Sequence, residues 1–226
     1  MRKHCFVMLA LLTLTVLLLL TACTAAPQEK SDASAVYSEP TVQPTAEPTQ
    51  KARPSAQELT ALKNTLERTE NPSFADFWGV TLDGRVVDES LFASHKLTMI
   101  NIWATYCNAC IMEMPYLAQL NQSYAEGELQ VIGFVVDMLD TDESIHPMAV
   151  EVAWEIVDAT GAEYTHLLPT DDLIYSKLQY VYAVPETVFV DSQGNVLTPE
   201  ISYTGARGYD NWKIIVDALL AQINAQ

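Results

Sequence analysis

The feature that most constrains the fold is an alternation of buried strands and a helix in the middle of the chain. Leu97 to Trp103 is a mostly apolar run of strand length, and Leu129 to Val136 is a second one with nearly continuous Val, Ile and Phe. Between the two runs a helical pattern extends from about Asn108 to Ala125, and Pro115 should kink that helix. Strands that alternate with helices indicate an α/β domain.

Shorter segments on both sides extend this α/β pattern. Phe74 to Val87 is predicted to be a hairpin turned at Asp83-Gly84, because that dipeptide favours tight turns. Thr187–Val190 and Val196–Tyr203 are predicted to form a second hairpin around Asp191-Ser-Gln-Gly194, which makes the sheet a mixed one. The remaining predicted elements are a helix after the capping box Ser55-Ala-Gln-Glu58, a helix from Pro147 to Thr160 that ends at Gly161, a strand from Tyr164 to Leu168, a helix from Asp171 to Tyr180 and an amphipathic helix from Tyr209 to Ile223.

The first 22 residues have the pattern of an export signal peptide. The basic pair Arg2-Lys3 precedes an apolar run from Phe6 to Leu20, which is broken only by two threonines. The run ends in Leu20-Thr-Ala-Cys23, which resembles the lipobox of bacterial lipoproteins, and we therefore expect Cys23 to be lipidated. The alternative is an uncleaved membrane anchor, since Cys5 to Ala22 has the 18 residues that are the lower limit of a span.

Residues 23–54 are predicted to be a disordered linker behind the lipidated cysteine. From Thr24 to Pro54 the chain has no Gly, Trp, Phe, Leu or Ile but five of its 11 prolines. Such a segment cannot bury a core, and proline stiffens it into a spacer. One folded domain is therefore expected over residues 55–226, tethered outside the cytoplasmic membrane whichever form the anchor takes.

The charge balance excludes nucleic acid as a partner. The chain has 12 Lys+Arg against 29 Asp+Glu, a formal net charge of −17. A nucleic-acid-binding protein needs Lys and Arg to replace the counterions around phosphates. Hydrophobic residues make up 49% of the chain, which is ample for a core and excludes wholesale disorder.

Two cysteines remain in the predicted domain, since Cys5 is lost with the signal and Cys23 is acylated. Cys107 and Cys110 lie where a strand ends and a helix begins, and free amides and the helix dipole stabilise a thiolate at that place. Cys-X-X-Cys thiols of this kind have pKa values of roughly 3.5 to 7.5. Cys107 is predicted to attack a partner disulfide, and Cys110 to resolve the mixed disulfide by attacking Cys107.

Other roles for this cysteine pair fit the sequence less well. A zinc site would need a second pair, and the histidines at 95, 146 and 166 lack ligand spacing, so surface or hydrogen-bonded positions are expected for them. A purely structural disulfide would close too small a loop to stabilise much. Copper binding or delivery through the two thiols stays open as an alternative. Peroxidase activity is not expected, because peroxiredoxins have threonine where this chain has Ala104.

Five motifs in the predicted domain occur together: Asp83-Gly84, Trp103-Ala-Thr-Tyr-Cys107-Asn-Ala-Cys110, Glu113-Met-Pro115, Val184-Pro185-Glu-Thr and Asp191-Ser-Gln-Gly194. On these motifs the chain, from Phe74 to the C-terminus and over about two-thirds of its length, resembles the thioredoxin-like, membrane-anchored extracytoplasmic reductases of the TlpA/ResA group. The resemblance implies a thioredoxin fold, with an N-terminal hairpin, a mixed central sheet flanked by helices, and a helical insertion from about Ile145 to Leu173.

The resemblance also implies which residues meet the substrate. Pro185 matches the cis-proline of the group, which turns the backbone of Val184 outward to pair with an extended substrate segment. Trp103 and Tyr106, which precede the cysteines, are expected to contact substrate as well. Glu186, in place of the commoner small or hydroxyl residue, is expected to add negative charge beside Pro185 and to tune partner choice.

The resemblance also implies which residue transfers protons during the exchange. Glu113 matches a carboxylate that helps move protons during exchange, and the alternative is an ordinary solvated helix glutamate. Asn101 and Gly133 stand where cytoplasmic thioredoxins have a buried aspartate and its partner lysine. The absence of that pair leaves Glu113 as the nearest candidate general acid and base.

The implied function is thiol–disulfide exchange on exported proteins, without a cofactor or a metal. Reduction is the favoured direction, fed by a membrane electron donor of the CcdA/DsbD kind, with apocytochrome c in cytochrome c maturation as one substrate typical of the group. The Asn-Ala pair between the cysteines is neither the Gly-Pro of thioredoxin nor the Pro-His of strong oxidants. A disulfide-forming oxidase therefore stays open as an alternative.

Overall fold

The computed structural model describes residues 52–197 and 202–225. The predicted signal peptide, Cys23 and nearly all of the predicted linker lie outside the described residues. Helices are α1 Ala56–Lys63, α2 Asn108–Ser123, α3 Pro147–Thr160, α4 Asp171–Ser176 and α5 Tyr209–Asn224, with 3₁₀ turns at Glu89–Phe92 and Leu178–Tyr180. Strands are β1 Gly79–Val80, β2 Val86–Val87, β3 Leu97–Trp103, β4 Leu129–Val135, β5 His166–Leu167, β6 Glu186–Asp191 and β7 Tyr203–Thr204.

A five-stranded mixed sheet in the order β5-β4-β3-β6-β7 forms the centre of the domain. β3 runs parallel to β4 and antiparallel to β6, while β1 and β2 form a separate two-stranded hairpin. All seven residues of β3 are buried, which explains why the strand is apolar throughout instead of alternating. The predicted thioredoxin-like α/β fold is confirmed.

Apolar clusters cover the two faces of the sheet. Met99 of β3 packs with Leu117 of α2 and Trp212 of α5 on one face. Ile100 and Ile102 point to the other face, where they join a cluster that also holds three phenylalanines from the segment 74–92. Apolar clusters therefore cover both faces of β3, and the loop that follows this strand carries the cysteines.

The helix ends follow their sequence signals closely. Ser55 and Glu58 form the predicted capping box at the start of α1. Gly161 ends α3 with φ of 67°, a left-handed conformation that glycine adopts without strain. Pro115 lies inside α2, as predicted.

Some predicted elements differ in extent from the observed ones. The helix predicted from Asp171 to Tyr180 is interrupted at Lys177, whose φ of −139° and ψ of −51° are not helical, and a 3₁₀ turn follows. The second hairpin is reduced to a bridge between Val190 and Val196 and to the short strand β7, and residues 198–201 between them lie outside the described residues. Within the described ranges, no helix is long and apolar enough to cross a membrane.

Candidate active site

Cys107 and Cys110 form a disulfide at the start of α2. Cys107 is the N-cap residue, and its sulfur accepts a hydrogen bond of 3.1 Å from the backbone N–H of Cys110. Cys107 is 8% exposed and Cys110 is fully buried. An incoming sulfur can therefore reach Cys107 directly but cannot reach Cys110.

The loop between β3 and Cys107 is fixed by a residue that sequence reasoning missed. Both carboxylate oxygens of Asp137, just beyond β4, accept hydrogen bonds from the backbone N–H of Thr105 at 3.0 and 2.9 Å. The hydroxyl of Thr105 donates to the same carboxylate. The signal that could have located Asp137 is an acidic residue directly after a buried strand, at the sheet edge where the cysteines lie.

Pro185 is the residue directly before β6. The Val184–Pro185 peptide bond is cis, as predicted. Ile102 pairs with Glu186, so the antiparallel register brings Pro185 to the end of β3 from which the cysteine loop departs. No described residue forms a backbone hydrogen bond with Val184, whose N–H and C=O are thus available to an extended segment.

The two aromatic residues predicted to contact substrate have different surroundings. Tyr106 is 73% exposed next to Cys107, which suits that role. Trp103 is completely buried, so the prediction that it contacts substrate is wrong for this structure. Its indole N–H donates to Nδ1 of His166 at 3.2 Å, and the side chain belongs to the same buried apolar cluster as Cys107 and Cys110.

Glu113 lies in the interior, one turn beyond Cys110 on α2. Its side chain is 1% exposed, so the alternative of a solvated helix glutamate is wrong. Oε1 accepts hydrogen bonds from the indole N–H of Trp212 and from the backbone N–H of Arg207, the latter at 3.2 Å, while Oε2 has no partner among the described residues. Burial raises the pKa of Glu113 to about 7, and the two hydrogen bonds only partly oppose that effect.

The sheet below the cysteines has a histidine where a thioredoxin lysine would fit. A Cβ at Gly133 would lie 2.1 Å from Nδ1 of His166, so the imidazole fills the space above Gly133. His166 Nε2 donates to the carbonyl of Ala162 at 2.8 Å, and burial lowers the pKa of His166 to about 4, which keeps the ring neutral. Asn101 donates to the hydroxyl of Thr187 at 3.1 Å. The predicted absence of the aspartate–lysine pair is thus matched by a neutral, hydrogen-bonded arrangement.

Glu186 differs most from its prediction. The side chain is 5% exposed and forms an ion pair with Lys177, whose side chain is also largely buried. The carboxylate therefore does not present a negative charge to a partner beside Pro185. The prediction was wrong because the neutralising lysine comes from a different element, the connection that follows α4.

The fold and the site together define a class: thioredoxin-like proteins with a Cys-X-X-Cys pair at a helix N-terminus and a cis-proline beside it. Residues 67–207 match the Redoxin family, and this chain belongs to that family.

The chain is also similar to curated thiol-disulfide oxidoreductases. The chain is 29% identical to the thiol-disulfide oxidoreductase ResA of Bacillus thuringiensis subsp. konkukian over 103 residues, which cover 41% of this chain and 56% of the relative. It is 25% identical to ResA of Oceanobacillus iheyensis over 104 residues, covering 45% and 47%. The chain spans about half the length of the curated relatives it matches. The predicted resemblance to the ResA group is confirmed.

Solved structures support the same fold. The dsbF of MTB, seen in mixed oxidised and reduced forms, superposes with a TM-score of 0.51 at 26% identity over 66% of this chain and 98% of that chain. A thiol:disulfide interchange protein from Chlorobium tepidum has a TM-score of 0.53 at 22% identity, covering 69% and 99%. The second similarity concerns the fold alone.

Proposed function

We propose that this chain is a thiol–disulfide oxidoreductase that reduces disulfides of exported proteins outside the cytoplasmic membrane. The observation that carries the proposal is the asymmetry of the disulfide: Cys107 is partly accessible, while Cys110 is fully buried. The ResA relatives are named as enzymes of this class, which supports the same activity here.

The exchange proceeds in two balanced steps. In the reduced protein, the Cys107 thiolate attacks one sulfur of the partner's disulfide, and a Cys107–partner bond forms as the partner's own S–S bond breaks. The released partner thiolate takes up a proton. Deprotonated Cys110 then attacks the sulfur of Cys107, which forms the internal disulfide and releases the second partner thiolate to be protonated. Two electrons pass from the cysteine pair to the partner.

Glu113 supplies the proton transfer that Cys110 needs. Cys110 is fully buried, so its thiol proton cannot pass directly to bulk water. Residues three apart on a helix are neighbours, with Cβ atoms about 5 to 6 Å apart, and Glu113 stands in that relation to Cys110. With a pKa of about 7, Glu113 can accept the proton and release it again at neutral pH.

The proposed location is supported by the N-terminal pattern of the chain, and the proposed partners by its resemblance to the ResA group. We propose that residues 1–22 are a signal peptide, that Cys23 is lipidated, and that residues 23–54 link it to the domain at residues 55–226. A membrane electron donor of the CcdA/DsbD kind would return two electrons to the Cys107–Cys110 disulfide after each turnover. Apocytochrome c is one candidate among the disulfide-bearing exported substrates.

Trapping of the mixed disulfide tests the exchange function. Cys110→Ser should accumulate Cys107-linked adducts with native partners, because the residue that resolves them is gone. Cys107→Ser is the matched control and should form no adducts and reduce no insulin disulfides. Non-reducing gel electrophoresis followed by mass spectrometry identifies the linked sulfurs. No adducts with Cys110→Ser would count against the exchange function.

Lipid labelling tests the proposed anchor separately. Cys23→Ala should leave unprocessed precursor without incorporated fatty acid, because the thiol that forms the thioether is missing. Cys5→Ala, whose cysteine would be removed with the signal, should be labelled normally. Normal labelling of Cys23→Ala would refute the anchor and leave the exchange chemistry unaffected.

A further inference from the structure

Three buried polar atoms in the interior have no hydrogen-bond partner among the described residues. They are Oε2 of Glu113, Oδ1 of Asn101 and the hydroxyl oxygen of Tyr164. A buried polar atom without a partner costs free energy, and proteins commonly satisfy such atoms with an ordered internal water. Whether one water can serve all three depends on where the side chains lie.

We propose that Asn101, Glu113 and Tyr164 bind one internal water molecule, and that this water carries the proton between Cys110 and Glu113. The inference rests on the proposed exchange function. It assigns Asn101 and Tyr164 as positioning residues for the proton transfer.

Asn101 and Glu113 are neighbours between β3 and α2. Side chains alternate along a strand, so Asn101 points to the same face as Met99, which packs with Leu117 of α2. Burial raises the pKa of Glu113, and the side chain of Asn101 is among the hydrogen-bond donors that oppose this effect. The carboxamide and the carboxylate therefore face each other.

Tyr164 approaches this place from the edge of the sheet. Asn101 pairs with Gly133, and Gly133 pairs with His166 of β5. The rings of Tyr164 and His166 have their centroids 4.8 Å apart. Because neighbouring strands are about 4.8 Å apart, His166 lies two strand spacings from Asn101, and a tyrosine side chain is long enough to span much of that interval.

Tyr164 also packs at the junction of two apolar clusters. One cluster contains Cys110, and the other contains Trp212, whose indole N–H donates to Oε1 of Glu113. Burial and the Glu113 carboxylate raise the pKa of Tyr164, so the phenol stays protonated and its O–H is available as a donor.

The donors and acceptors balance around a single water. The water donates one hydrogen bond to Oε2 of Glu113 and one to Oδ1 of Asn101, and it accepts one from the Tyr164 hydroxyl. Nδ2 of Asn101 already donates to Thr187, which leaves Oδ1 for the water. Three hydrogen bonds are typical of an internal water.

The proton moves in one balanced step while the mixed disulfide is resolved. As the sulfur of Cys110 attacks Cys107, its S–H proton passes to the water, and the water gives one of its own protons to Oε2 of Glu113. Oε2 is the receiving oxygen because Oε1 already accepts two hydrogen bonds. Glu113 becomes neutral and releases the proton after the partner has left.

The charged and titratable groups that face Glu113 come from three elements. Arg207, before α5, donates its backbone N–H, and its positive charge lowers the pKa of the carboxyl against the larger effect of burial. Tyr164 faces it from the segment before β5, with the neutral His166 behind the ring. Cys110 is the neighbour on α2 itself. Tyr164→Phe removes one hydroxyl and leaves the other groups in place.

Release of thionitrobenzoate in two phases tests the proposal. The full chain would carry Cys5→Ser and Cys23→Ser, so that Cys107 and Cys110 are its only thiols. An equimolar amount of dithionitrobenzoate reacts first with Cys107, and Cys110 then displaces the second thionitrobenzoate. Tyr164→Phe should raise the pH midpoint of the second phase by about 1 and slow that phase up to about tenfold below the midpoint, because ionised Glu113 loses the support of the hydroxyl through the water. The first phase should not change.

Tyr124→Phe is the matched control, because its hydroxyl donates to Asp217 at the surface, and it should leave both phases unchanged. The pKa of Glu113, followed by carboxyl carbon NMR in the disulfide form, should rise with Tyr164→Phe only. A high-resolution crystal structure should show one water in contact with all three atoms. An unchanged midpoint in Tyr164→Phe, or no water there, would overturn the water site and leave the exchange function standing. The absence of a second phase in the chain with Tyr164 intact would refute the exchange function instead.

Discussion

Glu113→Gln should change how the stability of the domain depends on pH. Burial raises the pKa of this carboxyl from 4.5 to about 7. Between those two values the unfolded chain loses a proton that the folded chain keeps, so the free energy of unfolding falls as pH rises. Each pH unit in that window is worth about 1.4 kcal/mol, which makes the total loss roughly 3 kcal/mol above pH 7.

His166 changes the pH dependence of stability in the opposite direction, so its effect must be separated from that of Glu113. Burial lowers the pKa of His166 from 6.5 to about 4, so its contribution to stability is lost as pH falls through that range. The two effects nearly cancel in the unmodified protein between about pH 4.5 and 6.5. Glu113→Gln removes the effect of Glu113. The free energy of unfolding of this variant should therefore rise with pH because of His166 alone.

The assay is equilibrium unfolding in urea of the disulfide form, followed by tryptophan fluorescence at pH values from about 4.5 to 8. The stability of Glu113→Gln minus that of the unmodified chain should grow by roughly 3 kcal/mol across this range. Glu151→Gln on the exposed side of α3 is the matched control, and its difference should stay constant. A constant difference for Glu113→Gln as well would refute the reasoning, because the carboxyl would then titrate alike in the folded and unfolded chain.

Two further substitutions test how the site is supported. Gly133→Ala should destabilise the domain by roughly 1–3 kcal/mol in urea unfolding, since the new methyl group would overlap His166. Gly208→Ala has open space around it and changes only the N-cap of α5, so it should cost less, and equal effects would contradict the packing argument. Lys177→Met should cost roughly 3–5 kcal/mol by leaving the Glu186 carboxylate buried without a partner. Glu186→Gln introduced together with Lys177→Met should restore most of the lost stability. If the effects of the two substitutions on the free energy of unfolding simply add, the two side chains are not a coupled pair.

Local patterns were sufficient to predict the framework of the site. β3 and the start of α2 were predicted at their observed positions, because an apolar run followed by Cys-X-X-Cys requires no distant information. The cis bond before Pro185, in contrast, was expected from the resemblance to the TlpA/ResA group. The strand and the helix start depend on the conformational preferences of short segments, which a single sequence displays directly.

The electrostatic state of the site could not be read from the sequence in the same way. The burial of Glu113 depends on Trp212 and Arg207, which lie about a hundred positions further along the chain. Glu186 was predicted to be an exposed charge because nothing near it in sequence indicates that Lys177 will neutralise it. Such pairings are properties of tertiary packing, and the local pattern around each residue is compatible with either state.

The most direct test of the central claim is the reduction potential of Cys107 and Cys110. The protein would be equilibrated with thiol–disulfide buffers, and the two cysteines would be counted by alkylation and mass spectrometry. We expect a single two-electron couple at about −230 mV or below, the range of thioredoxin-like reductases. A value near about −120 mV would indicate a disulfide-forming oxidase and reverse the proposed direction. The absence of any two-electron couple would contradict thiol–disulfide exchange altogether.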